Sequence, residues 1–347
     1  MTDSFAAVPL RWVGPLLLSG NVVEGEQEVP LATYETTLWP SVRRGARIST
    51  LIEGGIRSTL VDERMTRSVY FELPHAGESL RVLREVEARI DELRAVVGQT
   101  SRFAELLGIN SQIAGRLLFL RFEFRTGDAA GHNMVTLASD ALMTHLLHTW
   151  PELRYGSISG NYCSDKKATA VNGILGRGKN VITEAIIPRE VVERRLHTTP
   201  EKIAELNTRK NLVGSILAGS LRSGNAHYAN MLLAFYLATG QDGANIVEGS
   251  QGLTQAEIVD GDLYFSCTLP NLIVGTVGNG KGLGFVEENL QRLGCRDDRP
   301  VGDNARRLAV LAAASVWCGE LSLLGAQTNP GELMAAHLNF ERNGTSA

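Results

Sequence analysis

Cysteine is scarce in this sequence, and its four copies lie far apart among 347 residues. They form no C-x-x-C pair and have no H-x-x-x-H partner. This spacing argues against a structural zinc site and against a disulfide scaffold, and it suits a reducing compartment. We therefore expect a cytoplasmic protein that binds no metal.

An excess of charge of one sign is also missing. The 34 Lys and Arg residues nearly balance the 38 Asp and Glu residues, so the formal net charge is −4. Without a basic field, the molecule as a whole is not suited to recruit nucleic acid or an anionic membrane. We expect neither as a partner.

Targeting and membrane-spanning patterns are weak. The first 20 residues contain Asp3, Arg11 and two prolines and lack a basic start before an apolar segment, so they make a poor signal peptide. The longest apolar run, residues 308–326, is rich in alanine and interrupted by Glu320. It predicts a buried helix rather than a membrane span.

Periodic patterns are well represented. The composition, 44% hydrophobic and 21% charged, is ordinary for a globular protein, and the length suits one large domain or two. Apolar spacings of three and four predict a helix over 79–97, with Ser79 as its N-cap and Gly98 as its stop. Alternation predicts a half-buried strand over 118–125, and a second apolar stripe predicts a helix over 134–150. These elements form a small α/β unit.

The sequence after residue 158 predicts a second set of elements. Its predicted elements are a strand over 179–187, a helix capped by Asn225 and stopped at Gly240, extended segments over 263–278 split at Pro270, and a helix over 312–324. We therefore predict a large domain, 1–68 and 158–347, into which a small domain, 69–157, is inserted.

Three stretches leave function open when each is taken alone. "TGDAAGHN" offers free N–H groups to a pyrophosphate, or is a plain connection capped by Asp128. The stretch around Asp165, Lys166 and Lys167 is either an anion-binding loop or a solvated surface. Asp242 follows a predicted helix C-terminus, where a buried carboxylate would need a cationic partner and an exposed one would not.

The stretch "GTVGNGKG", residues 275–282, nearly spells a phosphate-binding loop. A Walker loop ends in Ser or Thr, which holds magnesium, and runs straight into a helix. Here Gly282 takes the last position, and helix-like sequence starts only near Val286. These departures disfavour a nucleotide hydrolase.

Taken together, the motifs resemble those of the hydroxymethylglutaryl-CoA reductases, specifically the soluble, bacterial-type enzymes of the biosynthetic, class I-like group. The resemblance runs from about Val8 to His337. It rests on stretches in the family's order: "VPLATYE", "DERMTRS", "TSRF", "RTGDAAGHNM", "SGNYCSDKKATAVNGILGRGK", "RKNLVGS", "NAHYAN", "GQDGAN", "GTVGNG" and "GELSLL".

The resemblance implies a mixed α+β or α/β fold, in which a large substrate-binding domain carries an inserted, ferredoxin-like NADP(H)-binding domain. It implies reduction of 3-hydroxy-3-methylglutaryl-CoA (HMG-CoA) to mevalonate and free CoA by two NADPH, in the mevalonate pathway of isoprenoid biosynthesis. It also implies a homodimer or higher homo-oligomer with its site between subunits.

The resemblance further implies four catalytic residues. Lys166 would stabilise the oxyanion formed by each hydride addition. His337 would protonate the departing thiolate. Glu35 would protonate the final alkoxide if Asp242 raises its pKa, so that Lys166, Asp242 and Glu35 titrate as a coupled set.

Binding residues follow from the same resemblance. Those implied for HMG-CoA are Arg67, Ser159, Asp165, Lys167, Lys210 and Asn230, with the CoA phosphates near Ser41, Arg43, Arg44, Arg47, Arg195 and His197. Those implied for the cofactor are Ser101, Arg102, Phe103, Asp128, Ala129, Ala130, Gly131, His132, Asn133, Met134, Val135, Val277 and Gly278. Ser101 and Arg102 match the family's grip on the extra ribose phosphate, which favours NADPH over NADH.

Departures from the family pattern keep some alternatives open. Ala130 and His132 stand where familiar relatives have methionines, and "QTNPG", residues 327–331, lengthens the approach to His337. From the resemblance we expect no counterpart of the membrane anchor of animal relatives, nor of the phosphorylatable serine that follows their histidine. An NADH-linked enzyme that oxidises mevalonate is the alternative; a non-catalytic relative is disfavoured because the catalytic set is intact.

Overall fold

The computed structural model describes residues 6–338, without the side chains of residues 336 and 337. Its strands are β1 (Leu10–Gly20), β2 (Gly25–Ala32), β3 (Ile56–Glu72), β4 (Glu105–Ala114), β5 (Leu117–Arg125), β6 (Arg154–Ser157), β7 (Gly178–Ile187), β8 (Ser223–Gly224), β9 (Gly252–Val259) and β10 (Asp262–Leu272).

Helices cover the sheet and connect its strands. They are α1 (Leu38–Ser49), α2 (Ala76–Ala88), α3 (Ile90–Gly98), α4 (His132–Thr149), α5 (Ala170–Leu175), α6 (Arg189–Leu196), α7 (Pro200–Leu206), α8 (Ser215–Leu217), α9 (Tyr228–Ala238), α10 (Ile246–Gly249), α11 (Gly284–Arg292), α12 (Asp303–Gln327) and α13 (Glu332–His337). A π-helix spans Asn207–Gly214 and a 3-10 helix spans Gly243–Asn245.

Strand β3 links the two parts of the sheet. The main path runs β2-β1-β3-β7-β10-β9-β8, and β4, β5 and β6 branch from β3. The first half of β3 pairs with β7, whereas its second half, from Met65 to Glu72, pairs with β5. Most of these pairings are antiparallel; β1 with β3 and β8 with β9 are parallel.

Two hydrophobic clusters lie on either side of this strand. The larger surrounds α12 and includes side chains of β1, β7, β10, α1 and α9. The smaller joins the second half of β3 to α2, α3, α4, β4 and β5, and it draws nearly all its members from residues 65–153. The mixed α/β fold with a large sheet is as predicted, while the inserted domain 69–157 stays a prediction that these clusters support.

The long apolar helix is part of the core. Among the described residues, α12 alone is long and apolar enough to cross a membrane, but 94% of its most apolar window is buried inside the fold. The prediction of a buried helix is confirmed, and the helix is longer than the 312–324 that the sequence indicates. The strand over 179–187 and the helix over 134–150 are also found, each starting one or two residues earlier than predicted.

Three local predictions need correction. The helix over 79–97 is broken at Arg89 into α2 and α3, and its N-cap is His75, whose ring accepts from the Glu78 N–H at 3.2 Å, and not Ser79. Strand β5 is not half-buried, because Arg121 and Glu123 on its second face are buried as an ion pair. Pro270 does not split the extended region, because β10 runs through it at a register irregularity.

Candidate active site

Lys166 and Asp242 form the centre of one cavity. The Lys166 Nζ lies 2.8 Å from Asp242 Oδ2, and both side chains are more than 40% exposed. The cavity, here called the Lys166 cavity, has a volume of about 530 Å³ and is also lined by Arg67, Asp165 and the loop before α4. The structure therefore joins two of the predicted catalytic residues to predicted substrate- and cofactor-binding residues.

The ion pair keeps both groups charged. The hydrogen bond that the Lys166 ammonium donates to Asp242 is the main cause that raises the pKa of Lys166. Partial burial opposes ionisation of Asp242, but hydrogen bonds from Lys166 and from the Ala244 N–H outweigh it and lower its pKa. Asp242 follows α9, as predicted, and its side chain caps the 3-10 helix that comes next. A local donor therefore supplements the cationic partner.

The backbone of Lys166 is held in an unusual conformation. Its φ is +55°, a left-handed value that costs a non-glycine residue free energy. Its N–H donates to Glu248 Oε1 at 3.1 Å, and Glu248 also accepts from the Asn245 side chain at 2.9 Å. Glu248 is fully buried, and burial raises its pKa. This carboxylate was not identified from the sequence, because no local spacing connects it to Lys166.

A buried arginine fixes the neighbouring aspartate. Arg177 is 1% exposed, donates to Asp165 Oδ1 at 2.8 Å and to Thr66 Oγ1 at 2.8 Å, and lies 3.6 Å from Glu248 Oε1. Burial opposes ionisation of Asp165, but the positive charges of Arg177 and of neighbouring groups outweigh it, so its pKa is lowered. Arg177 occurs within a quoted motif, yet its role in this network was not predicted.

The predicted cofactor loop meets the glycine-rich loop Gly275–Gly282. The Thr276 N–H donates to the Asp128 carbonyl at 2.8 Å, and Ala129 and Val277 form a parallel bridge. A Cβ on Gly275 would lie 2.2 Å from the Ala130 nitrogen, so glycine is required for this approach. Residues 129–134, Val277 and Gly278 line the Lys166 cavity, which makes this pair of loops its wall.

Two members of the predicted cofactor loop serve the fold. The Asp128 carboxylate accepts from the Gly302 and Ala305 N–H groups, at 2.9 and 3.0 Å, and so caps the start of α12. Asp128 stays among the residues predicted for the cofactor, while these bonds direct its carboxylate to the helix. Val135 is buried in the smaller hydrophobic cluster. His132 lies 3.7 Å from Asp165 Oδ1, and burial is the main cause that lowers its pKa.

Glu35 lies in a second cavity of about 440 Å³, here called the Glu35 cavity. The Glu35 Oε2 accepts from the Asn230 Nδ2 at 3.1 Å. His227 lines the same cavity, and its backbone N–H donates to the buried Glu320 at 3.1 Å. His227 was not identified as a site residue from the sequence. Of the residues that the structure describes, none lines both cavities. Glu35 thus lines a different cavity from Lys166 and Asp242 within the described part of one chain.

Two of the six residues predicted for the CoA phosphates line the Glu35 cavity. Ser41 and Arg44 line it, and Arg44 is held by Ser322 Oγ at 3.0 Å and by Glu332 Oε1 at 2.6 Å. Arg43, Arg47, Arg195 and His197 are exposed and line neither cavity.

Six other residues predicted for binding, Ser101, Arg102, Phe103, Ser159, Lys167 and Lys210, line neither cavity. Arg102 and Phe103 are exposed in the loop after α3, where the guanidinium lies 4.6 Å from the Phe103 ring centroid and the Ser101 Oγ accepts from the Phe103 N–H. Ser159 and Lys167 are exposed, and Lys210 is half-buried in the π-helix, where burial lowers its pKa. His337 ends α13, but its side chain lies outside the described residues.

Comparisons with known proteins agree in one family. A family model described as "Hydroxymethylglutaryl-coenzyme A reductase" matches residues 4–342. The 3-hydroxy-3-methylglutaryl-coenzyme A reductase of Pyrococcus horikoshii is 48% identical over 92% of this chain and 78% of its own length. That of Aeropyrum pernix is 44% identical over 97% of this chain and 80% of its own length.

A solved structure shares the fold. The class II 3-hydroxy-3-methylglutaryl-CoA reductase from Streptococcus pneumoniae, bound to NADPH in open conformations, matches with a TM-score of 0.72. The match covers 94% of this chain and 86% of that one at 21% identity. At this identity the likeness shows the fold alone.

Proposed function

The chain belongs to the hydroxymethylglutaryl-coenzyme A reductase family, and from that premise we propose that it reduces HMG-CoA to mevalonate and free CoA with NADPH. The observation that carries the proposal is the Lys166–Asp242 ion pair at 2.8 Å. This pair lies in a cavity that also holds Arg67, Asp165 and the predicted cofactor loop. One cavity thus contains cations that can bind an oxyanion and a substrate carboxylate. It also contains backbone groups that can bind a dinucleotide.

The charge state of the pair suits the reaction. Two hydrides and two protons convert the thioester into an alcohol and a thiol, and the hydrides come from the nicotinamide cofactor. Each hydride addition places negative charge on the substrate oxygen, which the Lys166 ammonium stabilises as a fixed cation. Asp242 holds that ammonium in place and keeps it protonated.

The protons require the other predicted residues. We propose that His337 protonates the departing thiolate and that Glu35 protonates the last alkoxide. Glu35 is hydrogen-bonded to Asn230, which orients its carboxyl group toward the Glu35 cavity. Because none of the described residues lines both cavities, we further propose that Glu35 of one chain meets Lys166 of another in a homodimer or a higher homo-oligomer.

The insert and the compartment complete the proposal. The smaller hydrophobic cluster supports residues 69–157 as the cofactor-binding domain. Arg102 is exposed beside Ser101, where its guanidinium is available to the extra ribose phosphate of NADPH. All four cysteines are free and buried, in keeping with a reducing cytoplasm.

One assay tests the proposed function. Purified protein is mixed with HMG-CoA and with NADPH or NADH in parallel, and loss of nicotinamide absorbance is followed. We expect oxidation with NADPH to be faster than with NADH. Mevalonate, CoA and NAD⁺ are tested for the reverse reaction, and a faster reverse rate with NAD⁺ would favour the oxidative alternative. No cofactor oxidation in any mixture would overturn the reductase proposal.

A Lys166 variant tests the chemistry within that assay. We expect Lys166→Gln to lower kcat by about 10²- to 10³-fold, because it removes the cation at the developing oxyanion. Lys202→Gln, at an exposed helix position, is the matched control and should keep wild-type turnover. Circular dichroism should show both variants folded. Near-normal turnover of Lys166→Gln would contradict the oxyanion role.

A further inference from the structure

The glycine-rich loop carries a buried lysine, Lys281, for which the described residues supply no carboxylate partner. Lys281 is 8% exposed, and its ammonium donates to the Gly240 carbonyl. Burial, followed by the like charge of Arg296, lowers the pKa of Lys281 to about 8. A buried cation is unfavourable unless an anion accompanies it.

The other buried cations of the described residues all have such a partner. Arg121 pairs with Glu123, and Arg177 pairs with Asp165 at 2.8 Å. Lys179, which is 5% exposed, lies 4.0 Å from Glu63.

Lys281 differs from these three. Glu287, on the adjacent helix α11, is occupied by two hydrogen bonds from Arg296 at 2.9 Å each. Within the described part of the chain, no carboxylate forms an ion pair with Lys281 or raises its pKa. A bound anion would supply the missing negative charge.

The surroundings of Lys281 indicate which molecule that is. Lys281 lines the Lys166 cavity together with the first turn of α4. The N–H groups of a first helical turn have no partner within the helix and favour an anion. The loop that carries Lys281 is fastened to the loop before α4 by the Thr276–Asp128 hydrogen bond and the Ala129–Val277 bridge. The lysine and the helix terminus thus belong to one wall of the cavity.

We propose that Lys281 binds the diphosphate of the nicotinamide dinucleotide, together with the N–H groups at the start of α4. The inference rests on the proposed function and extends it to a residue outside the predicted set. The diphosphate is common to NADPH and NADH, whereas the ribose phosphate predicted for Ser101 and Arg102 is not. Lys281 therefore contributes to affinity for both cofactors equally.

Direct binding measurements separate the contribution of Lys281, at the diphosphate, from that of Ser101 and Arg102, at the ribose phosphate. Cofactor fluorescence is titrated with wild-type protein and the Lys281→Met, Lys281→Arg and Lys202→Met variants, using NADPH and NADH at about pH 7. We expect Lys281→Met to weaken both cofactors by about 10- to 100-fold, as for loss of a charge-assisted hydrogen bond. Lys281→Arg should keep most of the affinity, and Lys202→Met should match wild type. Competition by inorganic diphosphate should also weaken in Lys281→Met.

The pH dependence provides an independent readout. Anion binding favours the protonated amine, so wild-type affinity should fall as the pH rises through about 8, by up to about tenfold per unit. The other groups of the cavity keep their charge there: the pKa of Lys166 is raised, those of Asp165 and Asp242 are lowered, and that of His132 is lowered. Arg67 and Arg296 carry permanent charges. In Lys281→Arg the fall should be absent.

Two results would overturn the inference. One is equal affinity of wild type and Lys281→Met for both cofactors; the other is a loss confined to the KM for HMG-CoA, which would assign the lysine to the substrate. Wild-type turnover with HMG-CoA, measured alongside, tests the proposed function separately. An active wild-type enzyme with an unaffected Lys281→Met variant would remove the inference alone.

Discussion

At the scale of single residues, the site depends on holding Lys166 in a strained backbone conformation. Three non-glycine residues of one short loop, Asn161, Ser164 and Lys166, have φ between +52° and +57°. Such conformations persist when surrounding contacts over-determine them. For Lys166 the contact is the hydrogen bond to Glu248, which comes from 82 residues further along the chain.

Removing that contact should impair catalysis more than it impairs folding. We expect Glu248→Ala to lower stability by about 1–3 kcal/mol, because the Lys166 N–H loses its buried acceptor. We also expect kcat to fall by about tenfold with little change in the KM for NADPH, since the ammonium moves away from the substrate oxygen. Steady-state kinetics and urea unfolding measure the two effects.

The conservative variant provides the control. Glu248→Gln keeps an amide oxygen that can accept from the Lys166 N–H, so it should restore most of the turnover lost in Glu248→Ala. If both variants were equally slow, the negative charge beside Arg177 would matter and the hydrogen bond would not.

The sequence reveals these residues unequally. Lys166 and Asp242 were proposed from family motifs, and the structure brings them together at 2.8 Å. The roles of Glu248 and Arg177 are not predicted, because contacts between residues that are distant in the sequence produce no local motif. His132 belongs to the predicted cofactor loop, whereas Lys281 lies in a glycine-rich stretch whose near match to a Walker loop does not reveal that the lysine is buried.

At the scale of secondary-structure elements, apolar periodicity predicted several of the longer helices and strands because each buries one face in a core. Periodicity failed where a helix is interrupted or where the second face of a strand is also buried. The break at Arg89 leaves the apolar stripe intact across α2 and α3, so the pattern could not show it. In β5 the buried ion pair of Arg121 and Glu123 replaces the solvated face that alternation predicts.

The packing of α1 on α12 offers a test at this scale. A Cβ added to Gly45 would lie 2.1 Å from the Cys318 carbonyl oxygen and 2.5 Å from its Cα, so the helices would have to separate. We expect Gly45→Ala to destabilise the protein by about 1–3 kcal/mol. Helix α1 also carries Ser41 and Arg44, both bonded to Ser322 of α12. The KM for HMG-CoA should therefore rise more than the KM for NADPH.

Gly98→Ala is the matched control for that change. Gly98 is the last residue of α3, and no atom lies within 4 Å of its added Cβ. Thermal unfolding should show it as neutral or slightly stabilised, with unchanged kinetics. Equal unfolding temperatures for the two alanine variants would show that the α1–α12 contact relaxes without cost.

At the scale of the whole molecule, one long strand joins two hydrophobic clusters, and the predicted catalytic residues are divided between two cavities. Strand β3 pairs with strands that pack in the larger cluster and with strands that pack in the smaller one. The Lys166 cavity is lined both by the loop before α4 and by Asp242. The Glu35 cavity is separate. Sequence motifs name all these residues but carry no information on which of them a single chain brings together, because that depends on the fold and on its assembly.

Mixed variants test whether two chains complete one site. Glu35→Gln and Lys166→Gln should each be inactive as homo-oligomers. If Glu35 of one chain acts with Lys166 of another, a mixed dimer has one intact site and one doubly defective site. Random mixing makes half of the dimers mixed, so co-refolded variants should recover about a quarter of wild-type activity. If both residues act within one chain, no mixture contains an intact site and activity stays at the level of the single variants, so the rate of the mixture distinguishes the two arrangements.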